Sequence, residues 1–566
     1  MRSGILEKFI LVTVILATMA YPWPVSAVES PAAAEHGMVV SAHPLATRAG
    51  LGILRQGGNA VDAAVATALA LAVCEPYSSG LGGGGFLVCF DAETGKVTAL
   101  DARETAPLAA HRDMFVRNGA PVDSLSRDGP LSIGVPGLVR GLWEAHRAQG
   151  RLPWAQLVQP AVALARGGVP VSQMLTDRIA EEKQRFNPAA REVFLSGENV
   201  PQIGMILVQE DLAATLEAIA DRGPSAFYTG PVAQAIAAET AAAGAGMTLE
   251  DLAGYQAIWR EPIHGRYRGC DVWSMPPPSS GGVHLVQMLN VLEGFDVGGA
   301  GIGSAAAVHP MTEAMKFAFA DRSRFLGDPD FVTVPVARLT GRDYADSLRS
   351  LIRSDRSIPA ADIPGAPLVR RESAHTTHLS VVDAAGSAVA ATLTINLSFG
   401  SGWMATGTGV MLNDQMDDFV AAPGFANAFG LVGGEANSVA PGKRPLSSMT
   451  PTIVLQDGRV RMVTGAPGGS KIITTTLQTI VNVLDHGMDA LQAVSAPRIH
   501  HQWSPDLMYF EAHGLSPDTR KILEGMGHRL KERIPMCNAQ VIVADPETGL
   551  LTGASDPRGM GEAAGF

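Results

Sequence analysis

The sequence predicts an α+β fold in which β-sheets pack on each other and helices cover their outer faces. From about residue 112 to residue 268, apolar residues recur at helical spacing between polar connectors. After about residue 376 the pattern changes to β-rich segments that are joined by hairpin signals. Because these strands lie in sequence between helical stretches, we expect layers of sheet with helices outside them.

The composition is typical of a compact globular enzyme. Of the 566 residues, 46% are hydrophobic and 17% are charged, and the length is sufficient for several domains. A formal net charge of −12 provides no basic surface for nucleic acid or for an anionic membrane. We therefore expect no nucleic-acid partner, and an acidic substrate would have to be bound by a few local cations.

The N-terminus has the features of a secretory signal sequence. Arg2 and Lys8 form a positive region, residues 9–21 an apolar core, and Val25-Ser26-Ala27 a cleavage site between small residues. An uncleaved membrane anchor is the alternative, but the apolar run is shorter than the roughly 20 residues that span a bilayer. We expect removal of residues 1–27 and a periplasmic or secreted protein without a stable membrane anchor.

Cysteine and histidine usage predicts neither a disulfide framework nor a metal site. The four cysteines are Cys74, Cys89, Cys270 and Cys537. Cys74 and Cys89 lie in apolar runs, so both are expected to be buried free thiols. CxxC and HExxH patterns are absent from the sequence, and the adjacent His500 and His501 would point to opposite faces of a strand.

The first predicted elements are a strand, two helices and a second strand. The pattern indicates a strand over residues 38–42 and Ala-rich helices up to Cys74, of which residues 61–73 form a buried core helix. A glycine-rich loop over residues 80–85 precedes a strand over residues 86–90. Phosphate-binding loops follow a strand and open a helix, so the reversed order here favours close backbone packing.

Glycine and proline mark the boundaries of the middle region. Residues 134–137 indicate the start of a helix, and residues 274–282 a rigid turn before an apolar helix over residues 283–292. Residues 359–376 contain prolines, many charges and few large apolar side chains. Such a segment is typical of a flexible linker.

Two hairpins and a helix are predicted after the linker. The strand pairs, with their turns, are 379–382 with 388–394 around 383–387, and 450–455 with 460–465 around Asp457-Gly458. Gly468 then precedes a long β-branched helix that ends near Gly487.

Thr376, which follows His375 at the end of the linker, has the chemistry of a self-activating nucleophile. A hydroxyl is weak until a base takes its proton, and the α-amine of Thr376 serves if this residue begins a chain. Its reference pKa of about 7.7–8.0 suits that role. Attack of Thr376 Oγ on the His375 carbonyl would leave chains 28–375 and 376–566. A Thr-Thr pair alone more often marks an ordinary strand.

The residues that follow Thr376 carry a family resemblance. Polar and glycine residues stand at characteristic spacing, namely Thr394, Asn396, Gln415, Asp418, Ser447, Ser448, Gly468 and Gly469. Further characteristic segments are 41–46, 57–63, 278–282, 413–419 and 553–558. Together they resemble the γ-glutamyltransferases (γ-glutamyltranspeptidases), which are N-terminal-nucleophile (Ntn) hydrolases. The resemblance covers nearly all of the mature chain.

The resemblance implies a four-layer αββα sandwich shared by two chains that are cut from one precursor. A large subunit, residues 28–375, and a small catalytic subunit, residues 376–566, would form a heterodimer. The family chemistry uses no metal and no organic cofactor.

The resemblance also implies which residues bind the substrate. Asp418 would pair with an α-ammonium group, while Asn396 and Gln415 add hydrogen bonds. Arg103 matches an arginine that binds the α-carboxylate with two parallel hydrogen bonds. Without the resemblance, Asp418 indicates a solvated turn and Arg103 a surface ion pair with Glu104.

The remaining matched residues are hydroxyls and glycines. Ser447 and Ser448 would complete the carboxylate site, although such serines alone indicate a turn or a helix cap. Thr394 would share a hydrogen bond with Thr376, although most threonines in strands merely reflect the β-propensity of this residue type. Gly468 and Gly469 lie between a strand and a helix, where unpaired N–H groups can form an oxyanion hole. A structural Gly-Gly turn is the alternative.

Two positions depart from the family pattern. Phe429 stands in a segment, residues 423–434, that resembles a lid over the pocket, where tyrosine is usual. The missing hydroxyl removes one hydrogen bond that could close the site. His375 precedes the nucleophile where other residues occur, and little effect is expected because its side chain leaves with the large subunit.

The resemblance implies a self-processing γ-glutamyltransferase or glutathione hydrolase. Thr376 would attack a γ-glutamyl amide such as glutathione, and the γ-glutamyl group would pass to water or to an amino-acid or dipeptide amine. A cephalosporin or glutaryl acylase of the same fold is one alternative, but glutaryl groups lack the α-amine that Asp418 would bind. An uncleaved, inactive binding protein is another, against which the intact Thr376, Thr394 and Gly468-Gly469 argue.

Overall fold

The computed structural model describes residues 30–242, 246–365, 376–421, 434–533 and 535–566. The predicted signal sequence, the residue before the cleavage point (His375), the lid residue Phe429 and most of the predicted linker lie outside these residues. The described chain is a mixed helix-and-sheet fold, as the sequence predicts.

Two seven-stranded sheets, named sheet A and sheet B, dominate the described chain. Across sheet A the strands are Ala32–Ala34, Leu551–Ser555, Gln540–Ala544, Arg459–Gly465, Thr452–Gln456, Cys270–Ser274 and Ile263–Tyr267. Across sheet B they are Glu562–Gly565, Met38–Ser41, Thr377–Val382, Ala388–Thr394, Gly84–Asp91, Lys96–Ala102 and Ile258–Arg260. Neighbouring strands are antiparallel throughout both sheets. Each sheet contains strands from before and after Thr376.

Short sheets and helices form the rest of the described chain. The short strands are Val116–Arg117 with Ala120–Pro121, Val169–Pro170 with Ile206–Leu207, Met404–Ala405 with Val410–Met411, and Ile499–His500 with Met508–Glu511 and Leu530–Arg533. The helices before Thr376 are Pro44–Arg55, Ala60–Cys74, Asp123–Arg127, Leu138–Gln149, Trp154–Gly167, Gln173–Glu182, Pro188–Phe194, Glu210–Arg222, Ser225–Tyr228, Pro231–Ala242, Leu249–Gly254, Gly281–Leu292, Val297–Ala300, Ala305–Phe325, Val336–Leu339 and Arg342–Leu351. Those after it are Lys471–Leu484, Ala490–Ser495 and Pro517–Gly525, and the 3₁₀ turns are Pro130–Ser132, Ala360–Asp362, Gln415–Asp418 and Glu435–Asn437. None of the helices in the described ranges is long and apolar enough to cross a membrane.

The two large sheets enclose an apolar core between them. Its members come from both sheets and include Val40, Val88, Phe90, Val382, Ala390, Ile453, Leu455, Val463 and Ile542. Successive side chains of a strand point to opposite faces, so the remaining strand residues face away from this core. Those outward faces are covered by helices, in two further clusters.

Helix Ala60–Cys74 shows how the sequence builds one of these outer clusters. All 15 of its residues are buried, as expected for a helix that is apolar on every side. Asn59 and Asp62 form a capping box that starts the helix. Its side chains pack on Leu379 and Val381 of sheet B. The predicted core helix and the predicted buried, free thiols of Cys74 and Cys89 are confirmed.

Both predicted hairpins are confirmed. Strands Thr377–Val382 and Ala388–Thr394 pair in a register that sets Thr377 opposite Leu393. The Asp383 carboxylate accepts hydrogen bonds from Ala385 N at 2.9 Å and Ser387 N at 3.0 Å, which stabilises the turn. In the other hairpin Asp457 and Gly458 have φ of 50° and 75°, a backbone conformation that tight hairpin turns favour.

Candidate active site

Most of the predicted site residues line one small cavity. This cavity has a volume of about 20 Å³, and its lining residues are Arg103, Thr376, Thr394, Asn396, Gln415, Asp418, Ser447, Ser448, Met449, Gly469 and Ile472. Gly468 instead lines a large cavity of about 570 Å³, which Thr376 also lines. Thr376 therefore lies where the small and the large cavity meet.

Two threonine hydroxyls face each other at this junction. Thr376 Oγ1 lies 3.3 Å from Thr394 Oγ1, and both side chains are buried. Thr394 Oγ1 also accepts a hydrogen bond from Asn396 N at 2.8 Å. Thr394 Oγ1 is thus held by the main chain, and either of the two threonine hydroxyls can donate to the other.

The glycine-rich loop holds Thr394 in place through close backbone contacts. A Cβ atom added to Gly83 would lie 2.1 Å from the Thr394 carbonyl oxygen and 2.7 Å from Ile395 Cγ2. One added to Gly82 would lie 2.1 Å from the Met411 carbonyl oxygen. The glycines of the loop therefore allow close backbone packing, and the prediction of close backbone approach is confirmed.

A charged group forms the opposite side of the small cavity. Arg103 Nη2 donates a short hydrogen bond to Asp418 Oδ2, and Gln415 Nε2 donates to the same oxygen at 2.8 Å. Arg103 Nε also donates to the Pro445 carbonyl at 3.2 Å. Arg103 and Asp418 thus bind each other in this state. A cavity of 20 Å³ holds about one water molecule, so an amino-acid head group can enter only when side chains move.

Glu104 lies behind this ion pair and has an unusual environment. Burial raises the pKa of its carboxyl group to about 8, although the neighbouring Arg103 opposes that shift. Arg103 Nη1 is 3.8 Å away from Glu104 Oε2, and neither Glu104 oxygen has a hydrogen-bond partner among the described residues. Desolvation prevails because Arg103 directs its hydrogen bonds to Asp418 and Pro445 instead.

Ser447 and Ser448 are supported by the predicted turn before helix Gly281–Leu292. Ser447 N donates to the Pro278 carbonyl at 2.8 Å, and Ser280 Oγ donates to the Ser447 carbonyl at 2.8 Å. The helix begins two residues earlier than predicted, at Gly281, and its first two glycines fit closely against Thr450 and Met275. The turn therefore fixes the two serines at the cavity.

Gly468 and Gly469 occupy a backbone conformation that requires glycine. Their φ values are 132° and 59°. A Cβ atom on Gly468 would lie 2.3 Å from Cys537 Sγ. The following helix begins at Lys471, three residues after Gly468. Gly468 thus lines the large cavity and Gly469 the small one, and Thr376 lines both.

The sequence match agrees with this geometry. Residues 46–566 match the family model described as gamma-glutamyltranspeptidase. The chain belongs to the γ-glutamyltranspeptidase family. The glutathione hydrolase proenzyme of Escherichia coli (strain K12) is 48% identical over 541 residues, which cover 95% of this chain and 93% of that protein. The predicted family membership is therefore confirmed.

Acylases are also among the similar proteins. The acylase ACY 1 proenzyme of Pseudomonas sp. (strain SE83) is 40% identical over 536 residues, which cover 93% of each chain. The crystal structure of a cephalosporin acylase from Bacillus halodurans superimposes with a TM-score of 0.83 at 28% identity, and covers 97% of this chain and 98% of its own. The γ-glutamyltranspeptidase fold is thus shared with acylases.

Arg322, a buried cation next to the predicted site, was not predicted from the sequence. Its Nε donates to Ser280 Oγ at 3.0 Å and its Nη2 to Ser448 Oγ at 3.3 Å. Burial lowers the pKa of Arg322 to about 10, so the side chain is still charged at neutral pH. The residue stands in helix Ala305–Phe325, and no local pattern relates it to Ser448.

Two buried asparagines were also missed. Asn413 Nδ2 donates to the carbonyls of Gly82 and Gly134, both at 2.8 Å, and its Oδ1 accepts from Gln415 N at 2.9 Å. Asn437 Nδ2 donates to the Asp418 carbonyl at 2.7 Å. Both side chains therefore hold the segment that carries Gln415 and Asp418.

Glu75 is a fourth missed residue, on the large-cavity side of Thr376. Its Oε2 accepts a hydrogen bond from Thr377 Oγ1 at 2.7 Å, and its Oε1 accepts one from the Tyr77 hydroxyl at 3.1 Å. Burial raises the pKa of Glu75 to about 7. The carboxyl group thus fixes Thr377, which directly follows the predicted nucleophile Thr376.

One cluster in the described residues has the composition of a metal site, but its geometry is that of an ion-pair network. His309, Glu313 and His528 offer ligand atoms within 4.8 Å of one another, and all three are buried. However, Lys316 Nζ donates to Glu313 Oε1 at 2.8 Å, and His309 Nδ1 lies 2.7 Å from His528 Nε2. The Glu313 carboxylate is therefore already paired with an ammonium group.

Proposed function

We propose that this protein is a self-processing γ-glutamyltransferase and glutathione hydrolase whose nucleophile is Thr376. The observation that carries the proposal is a single cavity in which the Thr376–Thr394 hydroxyl pair faces Arg103, Gln415 and Asp418. Transfer of a γ-glutamyl group needs a nucleophile on one side of the cavity and, on the other side, groups that bind an amino-acid head group. The family match supports the same reaction.

The proposed processing cuts the peptide bond between His375 and Thr376. The products are a large subunit, residues 28–375, and a small subunit, residues 376–566. Both sheets combine strands from the two parts, which supports a stable heterodimer after the cut. The arrangement of helices outside two packed sheets supports the four-layer αββα sandwich of Ntn hydrolases.

In the proposed reaction, Thr376 Oγ attacks the γ-carbonyl carbon of the substrate. The α-amine of Thr376 takes the hydroxyl proton and later gives it to the leaving amine. Thr394 orients the Thr376 hydroxyl. Backbone N–H groups at Gly468 and Gly469 stabilise the oxyanion of the tetrahedral intermediate. Water or a second amine then attacks the γ-glutamyl-enzyme and regenerates Thr376.

The charged side of the cavity would bind the glutamyl head group. Asp418 pairs with the α-ammonium group, and Arg103 with the α-carboxylate. Asn396, Gln415, Ser447 and Ser448 add hydrogen bonds. In this proposal the Arg103–Asp418 pair opens when substrate enters, and each side chain exchanges its partner for the substrate charge of opposite sign.

The proposed reaction implies the substrates, and the predicted signal sequence implies the location. Glutathione and related γ-glutamyl amides are donors, and amino acids or dipeptides are acceptors. Removal of residues 1–27 during export would release a periplasmic or secreted enzyme. Phe429, in place of the usual lid tyrosine, would weaken closure over the donor.

A glutaryl or cephalosporin acylase is the second candidate, because relatives and a solved structure carry that name. A glutaryl group has the carboxylate of a γ-glutamyl group but lacks its α-amine. Asp418 and the hydrogen bond that Gln415 makes to it would then have no substrate partner. The intact Asp418 therefore favours the γ-glutamyl substrate.

The test compares release from a γ-glutamyl anilide and from the matching glutaryl anilide by the purified, processed protein. We expect at least about a hundredfold preference in kcat/KM for the γ-glutamyl compound, since an unpaired buried charge costs several kcal/mol. Preference for the glutaryl compound would move the protein to the acylases. Release from neither compound, by a chain that remains uncut, would indicate a binding protein.

A further inference from the structure

The loop that follows strand Ala388–Thr394 bends sharply beside the small cavity. Asn396 and Phe399 both adopt the left-handed region of the backbone, with φ of 76° and 55°. Residues other than glycine are uncommon in that region, and they persist there only where the surrounding contacts hold them. Asn396 is also a predicted substrate-binding residue, and it lines the small cavity. Neighbouring groups must therefore hold this bend at the proposed site.

Asp414 supplies hydrogen bonds on both sides of Asn396. Asp414 N donates to the Ile395 carbonyl at 3.2 Å, and Asp414 Oδ1 accepts from Leu397 N at 2.9 Å. The side chain of Asn396 donates from Nδ2 to the Asp414 carbonyl at 3.0 Å. Asp414 is fully buried, and hydrogen bonds are stronger in such surroundings than in water. One residue thus binds Asn396 itself and both of its neighbours in the chain.

A different residue holds the far end of the same loop. Arg185 donates from Nη1 to the Ser398 carbonyl at 3.3 Å and from Nη2 to the Gly400 carbonyl at 2.6 Å. These contacts fix the part of the loop that follows the bend. The contacts of Asp414 fix the part that carries Asn396, so the position of the Asn396 amide depends on Asp414.

The Asp414 carboxyl group acts as a hydrogen-bond acceptor and not as one half of an ion pair. Its Oδ1 binds the main chain, and its Oδ2 has no hydrogen-bond partner among the residues that the structure describes. The side-chain hydrogen bonds of Arg185 go to Asp128 and Glu182 instead. Burial raises the pKa of Asp414 well above its usual range, although Arg185 opposes that shift. A neutral amide of the same shape should therefore replace this carboxyl group.

We propose that Asp414 positions Asn396 for recognition of the γ-glutamyl head group. Because Asn396 Nδ2 binds the Asp414 carbonyl, Oδ1 is the amide atom that can accept from a substrate, and an acceptor suits an α-ammonium group. Loss of the Asp414 side chain leaves Leu397 N without its acceptor and frees Asn396 to leave the left-handed region. This role rests on the proposed γ-glutamyl transfer, and it belongs to a residue that does not line the small cavity.

The experiment compares a γ-glutamyl anilide with the matching glutaryl anilide, which lacks the α-ammonium group. Asp414→Ala should raise KM for the γ-glutamyl anilide about tenfold, as the loss of one charge-assisted hydrogen bond would. Its kcat should stay within about twofold of wild type, because the Thr376–Thr394 pair is unchanged. For the glutaryl anilide, kcat/KM should not change. Asp414→Asn keeps an oxygen that accepts from Leu397 N, so it should behave as wild type with both compounds.

A double-mutant cycle separates positioning from general support of the site. Asn396→Ala should itself raise KM for the γ-glutamyl anilide about tenfold. Adding Asp414→Ala should raise KM no further, because the positioned group is already gone. Asp383→Ala is the matched control, since Asp383 is a buried aspartate that binds the main-chain N–H groups of Ala385 and Ser387 in the hairpin turn. This control should leave KM for the γ-glutamyl anilide unchanged.

The outcomes separate this role from the proposed function. A wild-type enzyme that releases no γ-glutamyl anilide overturns the γ-glutamyl reaction itself. The positioning role alone is overturned by a wild-type KM in Asp414→Ala, by equal losses on both anilides, by additive effects in the double variant, or by the same defect in Asp414→Asn.

A second variant covers a failure of Asp414→Ala to fold. If that chain is not processed on a denaturing gel, Asp414→Ser takes its place, because the serine hydroxyl is one bond shorter than the carboxyl oxygen that binds Leu397 N. The same selective rise in KM is expected. Failure of both variants to be processed would make Asp414 a folding residue and overturn the positioning role.

Discussion

The two sides of the small cavity are built in different ways. The hydroxyl side, which consists of Thr376, Thr394 and Gly469, is positioned by the main chain. The charged side, which consists of Arg103, Gln415, Asp418 and Ser448, is positioned by ion pairs and side-chain hydrogen bonds. Under the proposed function this difference separates two tasks, because main-chain packing would set reactivity and charge would set which substrate is bound.

The contacts on each side support this separation. On the hydroxyl side, Gly83 approaches the Thr394 carbonyl so closely that a Cβ atom would lie 2.1 Å from it. On the charged side, Asp418 is held by the side chains of Arg103 and Gln415, and Ser448 by Arg322. A change on the hydroxyl side should therefore affect all substrates equally. A change at Asp418 should affect them according to their charge.

Thr376→Ala should have the largest effect. Without the hydroxyl, neither the cut before residue 376 nor acyl transfer can occur, so we expect one full-length chain and at least about a thousandfold loss of anilide release. A denaturing gel and a rate assay measure both. Thr377→Ser is the control, because it keeps the hydroxyl that binds Glu75 and should be cut and active. A normally cut, active Thr376→Ala variant would disprove the assignment.

Gly83→Ala should act on the hydroxyl side without touching a reacting atom. The added methyl displaces Thr394, and a displacement of about 1 Å at a catalytic site can lower the rate about a hundredfold. We expect that loss in kcat/KM for γ-glutamyl and glutaryl anilides alike. Gly80→Ala is the control in the same loop, since the nearest atom to its Cβ would be Ile395 Cγ2 at 3.6 Å. Unequal losses of kcat/KM on the two anilides would contradict the proposed separation of reactivity from substrate charge.

Asp418→Asn should lower kcat/KM most for substrates that carry an α-ammonium group. Loss of the carboxylate leaves an α-ammonium group without its partner, so kcat/KM for a γ-glutamyl anilide should fall about a hundredfold. A glutaryl anilide has no ammonium group and should lose much less. Asp417→Asn is the control, because Asp417 accepts a hydrogen bond from Ser126 Oγ at 2.6 Å instead of lining the cavity. Equal losses on both substrates would contradict the proposed role of Asp418.

Arg322→Met should weaken substrate binding about tenfold. Its guanidinium group binds Ser448 and adds positive charge behind the proposed carboxylate site, and a charge-assisted hydrogen bond contributes about 1.5–3 kcal/mol. Both anilides carry the carboxylate, so KM should rise for both while kcat changes little. A fall in kcat at constant KM would instead place Arg322 with the hydroxyl side.

Glu75→Gln should have the smallest effect of these variants, which is a change in the pH dependence of stability. Burial raises the pKa of Glu75 from 4.5 to about 7, so the folded chain holds a proton that the unfolded chain releases. This group therefore makes stability fall as pH rises from about 4.5 to 7, by at most about 3 kcal/mol. In the uncut Thr376→Ala background, urea unfolding at pH 5 and pH 8 should show a smaller difference for Glu75→Gln. An unchanged difference would refute the raised pKa.

Local elements were predictable from the sequence, whereas contacts between distant segments were not. Helix Ala60–Cys74 and both hairpins follow from periodicity and turn residues. The approach of Thr394 to Thr376 follows from one hairpin register. Arg322 and Glu75 lie far in sequence from the residues they bind, and single-sequence patterns carry no information on such pairs. The mutual binding of Arg103 and Asp418 depends on the state of the cavity, which motif spacing does not describe.

The mixing of strands in both sheets has a consequence for the lifetime of the enzyme. Strand Thr377–Val382 lies between Met38–Ser41 and Ala388–Thr394, so a cut before Thr376 leaves two chains that share both sheets. Before the cut, folding is a unimolecular event at a fixed effective concentration. Afterwards, recovery from unfolding becomes a bimolecular search that dilution slows. The processed protein would therefore persist through a slow unfolding rate, and each molecule would fold productively once.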